Sequence, residues 1–254
     1  KPQSHRRHHR VQMNICQAMV DTICAKVTSQ QTKVQFLTEG GDFVSQQKAK
    51  RLTKFCSGLF NMSNLYRVAP LIFRDAAVLG MGVMKIFQRD GKVLVERVFP
   101  NEIIIDDAES ISGEPRQYFQ RKFIPVEILK GMFPNKAKEI ENAERVDSGD
   151  PGVSAMVECI EAWHLPSSEG ADDGRHCLLI DGVDLFVESY ERTRPPFVFL
   201  RWTPRMLGFF AEGLCSQLTG LQVELNHLCR QISLNMRLAT PKCFIESGSQ
   251  ISSG

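Results

Sequence analysis

GLCSQLTGLQVELNHLCRQISLNMRLA, residues 213–239, reads as one long helix near the end of the chain. Leu214, Leu218, Leu221, Leu225, Leu228, Ile232 and Met236 recur at spacings of three and four. At 100° per residue they fall on a single stripe, as an amphipathic helix requires. A run of about 25 residues at 1.5 Å each spans about 38 Å, roughly twice a typical globular helix. Thr240-Pro241 stops it, because proline lacks the N–H and clashes with the preceding turn. Opposite the stripe lie Thr219, Asn226, Arg230 and Arg237, while Val223, Leu234 and Leu238 form a weaker second apolar patch. Two unequal apolar faces and one basic face imply contacts on more than one side. Periodicity alone fits a long helix in an ordinary α-domain equally well.

Upstream of this helix the pattern changes twice. Residues 11–29 carry Val11, Ile15, Met19, Ile23 and Val27 four apart, a helix that follows the basic cluster His5-Arg6-Arg7-His8-His9-Arg10. That cluster reads as a solvated arm or as a contact for phosphate or an acidic neighbour. Lys33 to Thr38 reads as a strand, Phe43 to Phe60 as a helix, and Leu65 to Leu79 as a helix that Pro70 kinks or delays. Arg74-Asp75 interrupts an apolar run, as a buried ion pair to another element or as a salt bridge at the helix edge.

Strands then dominate. Residues 82–88 and 92–98 flank Asp90-Gly91, and Asp181-Gly182 separates 175–180 from 183–189. Asp-Gly between β-rich runs is a hairpin signal, since both turn residues tolerate positive φ. Ile103-Ile104-Ile105 and 116–123 make further strands, as do 156–165 and 196–202. Pro125 opens a short helix over 126–132, and Asn135 caps a charged helix that reaches about Arg145. His164 and His176 lie on neighbouring strands without an acid or cysteine at metal spacing, and read as surface or satisfied core histidines. Helices, an antiparallel meander with small inserted helices, and a final long helix together make an α+β fold.

The composition narrows the classes of function. Of 254 residues, 43% are hydrophobic and 24% charged, and the net charge is +2. Any nucleic-acid contact is therefore local or weak, not a property of the whole surface. The eight cysteines are scattered with no CxxC pair, which excludes a zinc ribbon and points to a reduced, cytosolic setting. No apolar run approaches the ~18–20 residues that span a bilayer, and no nucleotide-binding GxxxxGK[ST] is present. The chain lacks an initiator Met and ends in SGSQISSG, as expected of an internal piece of a longer protein. Asp106, Asp107 and Glu109 are the one acidic cluster dense enough to hold a divalent metal. No histidine, Gly-rich loop or second acidic cluster at a recognisable spacing supports it, and acidic loops after strands are common.

Three stretches together resemble the portal proteins of tailed bacteriophages, those of short-tailed phages above all. They are NICQAMVDTICAKVTSQ (14–30) leading into KVQF (33–36); RDAAVLGMGVMKIF (74–87), a DG turn, VERVFPNEIIIDDAE (95–109) and GEPRQYFQRKFIP (113–125); and GFFAEGLCSQLTGLQVELNHLCRQ (208–231). The patterns are degenerate, so their order and spacing carry the resemblance. It implies a head-to-tail connector, a ring homo-oligomer, usually a dodecamer, at one vertex of the capsid, assembled in the host cytoplasm and residing in the virion. Residues 1–205 would be an α+β wing, 206–239 the first stem helix and 240–254 the start of a truncated clip. Pro241, Lys242 and Phe244 would open that clip. Leu218, Leu221, Leu225, Leu228 and Ile232 would face neighbouring subunits. Arg230, Arg237 and Asn226 would face the DNA channel, although acidic residues of a neighbour are an equally good destination for the arginines. Expected partners are double-stranded DNA, the terminase large subunit that supplies the ATPase, the major capsid or scaffolding protein, and a head-completion adaptor or tail protein. No cofactor, no membrane and no enzymatic activity are expected. The alternatives are a metal-dependent DNA-processing enzyme using the acidic cluster, and a generic oligomeric virion adaptor without DNA contact.

Overall fold

The computed structural model describes residues 13–38, 40–111, 114–146 and 155–239. Three helices come first: α1 (Ile15–Thr28), α2 (Phe43–Met62) and α3 (Leu65–Leu79). Strands β1 (Met81–Arg89) and β2 (Lys92–Val98) follow, then β3 (Ile103–Ile104), α4 (Asp107–Ile111), β4 (Gln117–Pro125), α5 (Val126–Met132), α6 (Ala137–Asn142) and β5 (Arg145–Val146). The remainder is β6 (Met156–His164), β7 (Arg175–Ile180), β8 (Val183–Ser189), β9 (Phe197–Arg201), β10 (Thr203–Pro204), β11 (Ala211–Glu212) and α7 (Leu214–Leu238). The fold is α+β, with every strand pair antiparallel.

Both Asp-Gly hairpins form. Asp90 and Gly91 have φ of 50° and 71°, and Asp181 and Gly182 have 44° and 75°. Two successive positive φ values give the primed turn whose twist matches the strands it joins. The first hairpin pairs β1 with β2, and β9 adds on the other side of β1, giving a small sheet in the order β2-β1-β9. The second belongs to a larger sheet in the order β3-β4-β6-β7-β8, with β5 also paired to β6.

Alternation along β1 sorts its two faces. A Cβ on Gly82 would lie 2.1 Å from the Ile72 carbonyl oxygen, so the even-numbered face is pressed against α3. The odd-numbered residues Met81 and Val83 instead join Val98, Phe197, Tyr118 and Trp163 in a core shared by the two sheets. A second core lies under α5 and α6, where Leu129 and Ile140 pack with Val157, Cys159 and Ile180. The long helix is launched from a tight backbone crossing. A Cβ on Gly80 would meet the Ala211 carbonyl oxygen at 2.3 Å, and one on Gly213 the Val78 carbonyl oxygen at 2.6 Å.

Several expectations need correction. Residues 33–38 form no strand. A strand needs a ladder partner; here the Phe36 N–H donates to Thr53 Oγ1 of α2 and Tyr66 Oη donates to the Thr32 carbonyl. The charged helix ends at Asn142, and Arg145–Val146 turns into a short strand on β6. Ile105 lies outside β3. Pro70 sits inside α3 without ending it; a proline here removes one helical bond, and the packing of α3 on the small sheet holds the helix. The two readings of Arg74-Asp75, by contrast, both hold, one for each residue: Asp75 makes the buried ion pair to another element, with two 2.5 Å contacts to Arg97 of β2, and Arg74 makes the salt bridge at the helix edge, to Asp21 of α1 at 2.6 Å. The basic cluster at residues 5–10, the Thr240-Pro241 stop and the clip residues Pro241, Lys242 and Phe244 lie outside the described residues.

Candidate functional site

Leu214–Leu238 is helical throughout, but its leucine stripe is not the face the chain covers. Leu221, Leu228 and Ile232 stay 69%, 46% and 57% exposed. Leu214, Leu218 and Leu225 are half-buried, as are Cys215, Gln222, Asn226, Cys229 and Ser233. The covered face is therefore rotated by about 60° from the stripe, at 100° per residue.

The rotation has a hydrogen-bonding cause. The first N–H groups of a helix have no partner inside it. At the start of α1, the Met13 N–H donates to Asn226 Oδ1 at 3.2 Å, and the Ile15 and Cys16 N–H groups donate to Gln222 Oε1 at 2.8 and 3.3 Å. Gln222 Nε2 returns a bond to the Met13 carbonyl. Two polar residues of α7 thus cap α1. Asn226 is held there by Met13, on the flank of α7 that meets α1, rather than on a free face. Arg230 lies beside it and is exposed. Arg237 lies within the helix, two turns further on.

The acidic cluster is placed as a set of local caps. Asp106 Oδ1 accepts the Ala108 N–H at 2.9 Å. Glu109 accepts the backbone N–H groups of Arg116 and Gln117 at 3.0 and 3.1 Å, and the Gln117 side-chain amide at 3.1 Å. Among the described residues no group of three His, Cys, Asp or Glu side chains is arranged to hold a metal. Asp106→Asn with Asp107→Asn is expected to change no binding of divalent metal. Calorimetric Mg²⁺ or Mn²⁺ binding by the parent that disappears in this double variant would revive the metal reading.

One cluster was not singled out from the sequence. Between the sheets, Lys85 Nζ donates to Glu161 Oε2 at 2.5 Å and to Gln120 Oε1 at 3.2 Å. It also lies 4.6 Å from the centre of the Trp163 ring. Glu161 Oε1 meets His176 Nε2 at 3.0 Å, and His176 Nδ1 meets Glu188 at 2.6 Å. Lys122 Nζ donates to Glu96 at 2.8 Å alongside. Lys85 and Gln120 are 5% and 0% exposed. Burial pushes the Lys85 ammonium pKa down, against the pull of Glu161. Burial would raise the Glu161 carboxyl, but the bonds from His176 and Lys85 outweigh it and hold the pKa below the usual carboxylate range. Burial would likewise lower His176, and its two carboxylate partners raise it instead. Both ring nitrogens aim at carboxylates, and making both contacts at once needs both N–H groups, so the site favours the imidazolium. The sequence does carry a signal for this layer. Lys85 is in phase with Met81 and Val83, Gln120 with Tyr118, and Glu161 with Cys159 and Trp163. A charge in phase with a buried face must find a partner.

An open, mostly apolar groove completes the inventory, lined by Leu79, Phe99, Pro100, Asn101, Ile103 and Phe210. Among the described residues no helix is long and apolar enough to cross a membrane. No protein-family model matches the chain, and no curated protein matches it.

Proposed function

We propose that this chain forms the wing and first stem helix of a ring-shaped DNA conduit of the phage-portal type, with a structural rather than a catalytic role. The observation that carries the reading is the stripe of Leu221, Leu228 and Ile232, exposed along a 25-residue helix whose other side is already packed on α1 and α3. A ring needs heterologous contacts, in which two different surfaces of one subunit meet those of its neighbours. The stripe is one such surface. The patch of Val223, Leu234 and Leu238 on the far side of α7 is a second, and the groove beside Phe99 and Phe210 offers a third. The resemblance of the three sequence stretches supports the same assignment and supplies the partners: terminase large subunit, capsid or scaffolding protein, and head-completion or tail protein. Arg230 and Arg237 are the residues proposed to meet DNA in the channel, where a net charge of only +2 lets a duplex slide rather than lodge.

Two aspartate substitutions separate assembly from folding. Leu228→Asp changes an exposed position, so the subunit is expected to fold with unchanged melting and to fail to form rings. Leu225→Asp places an unpaired carboxylate on the half-buried face. It is expected to destabilise the subunit itself by on the order of several kcal/mol. Native mass spectrometry and negative-stain imaging of the full-length protein read both. Rings that persist in Leu228→Asp would remove the stripe from the interface, and solid particles without a channel in the parent would favour an adaptor that does not conduct DNA.

A further inference from the structure

We propose that α2 is a nucleic-acid contact site, separate from the α7 face, that grips the phosphate backbone of duplex DNA. The helix is FVSQQKAKRLTKFCSGLFNM, with Lys48, Lys50, Arg51 and Lys54 and no acidic residue across its 20 positions. Without those four, the chain's remaining 27 lysines and arginines face 29 aspartates and glutamates. The whole positive excess is thus matched, and exceeded, by one helix. Surface helices ordinarily interleave both signs, because i, i+4 pairs of opposite charge stabilise them. All four cations are exposed, and among the described residues none of them is in an ion pair.

The packed side of α2 fixes where these charges point. Ala49 is buried, Thr53 receives the Phe36 N–H, and the Phe60 ring meets Tyr66 of α3 at 6.2 Å. At 100° per residue the cations occupy an arc of about 160° on the side away from that contact. From Lys48 to Lys54 the rise is about 9 Å, enough to meet successive phosphates of one strand. Gln47 and Asn61 share the arc and are exposed, and such amides are common donors to phosphate oxygens. Three of the four cations are lysines, which bind phosphate as point charges without demanding planar geometry.

An anionic membrane would call for a different layout, with the apolar strip central and cations on both rims. Here the exposed strip of Val44, Leu52, Phe55 and Met62 overlaps the arc at Lys48; Arg51, Lys54 and Lys50 all lie on one rim of that strip, with exposed Phe43 among them, while its other rim is the packed side around Ala49 and Thr53. The proposal uses no feature of α7, so it stands or falls separately from the ring.

The test is fluorescence anisotropy of a 20-base-pair duplex with the full-length protein across a salt series. It compares the parent, the variant K48Q/K50Q/R51Q/K54Q and the variant R230Q/R237Q. Glutamine is a good helix former and all four α2 positions are exposed, so circular dichroism should show an unchanged fold. Each lost phosphate contact removes about 0.9 from the slope of log affinity against log salt. The α2 variant is expected to weaken binding at least about tenfold at 0.1 M salt and to flatten the slope by about 3 to 4. Equal affinity and slope in parent and α2 variant would overturn the proposal. So would an unchanged duplex affinity accompanied by lost binding to phosphatidylserine vesicles or to polyglutamate, which would reassign the helix to a membrane or an acidic protein. Ring formation, imaged in the same samples, reports on the portal reading and not on this one.

Discussion

Replacing Glu161 by alanine is expected to destabilise the protein by about 3–5 kcal/mol, the usual cost of removing one partner from a buried ion pair. The substitution leaves Lys85 with Gln120 and the Trp163 face as its remaining contacts, and it leaves His176 with Glu188 alone. Denaturant unfolding at pH 6 measures the loss. The pair K85M/E161L is expected to recover much of it, since two apolar side chains of similar volume avoid the desolvation of two charges. A loss below about 1 kcal/mol in Glu161→Ala would mean that the layer holds nothing together.

The same cluster predicts a pH profile. The Glu161 carboxyl is held below its ordinary 4.5. Its contribution is therefore complete above that value and is lost as pH falls through the lower, folded pKa. The His176 imidazolium is held above its ordinary 6.5. Its contribution is complete below that value and is lost as pH rises through the higher, folded pKa. The stability that Glu161 and His176 supply should thus be greatest between the two, and both limbs should flatten in Glu161→Ala. A parent whose stability rises steadily from pH 6 to pH 9 would contradict the imidazolium assignment.

Gly80→Ala is expected to cost about 3 kcal/mol or more and to loosen the root of α7. Gly80 ends α3 with φ of 94°, and an added Cβ would lie 2.3 Å from the Ala211 carbonyl oxygen. The positive φ alone costs an L-residue about 1–2 kcal/mol, and overpacking adds about 1–3 kcal/mol. The obstructing atom is backbone, so no side-chain rotation relieves it. Gly91→Ala is the control: φ is 71°, but nothing lies within 4 Å of the added Cβ, so only the conformational cost applies. Hydrogen exchange in Gly80→Ala should rise first at residues 211–218. Equal losses in the two variants would show that the crossing is not tight.

Local chemistry was legible because it needs no partner. Asp-Gly at 90–91 and 181–182 specifies positive φ at both turn residues, whatever surrounds it. Pro125 opening α5, the 3.6-residue period of α7 and the switch to β-rich runs after Gly80 are of the same kind, and together they fixed the α+β class. Residues 33–38 show the limit. Their composition suits a strand, yet among the described residues no neighbouring strand offers a ladder, and α2 and α3 take their hydrogen bonds instead.

The face of α7 that is covered was a tertiary decision. Apolar periodicity ranks the leucine stripe first, because it counts side chains and ignores backbone donors. The opening N–H groups of α1 need acceptors, and Gln222 and Asn226, more than 200 residues away in sequence, supply them. That demand turns the helix and leaves Leu221, Leu228 and Ile232 in solvent. The inter-sheet layer follows the same logic. Alternation in the sequence puts Lys85, Gln120 and Glu161 on buried faces, but only the packing of the two sheets brings them to within hydrogen-bonding distance. A lone buried charge is intolerable and a paired one is stable, and it is the fold, acting across long stretches of chain, that makes the pair.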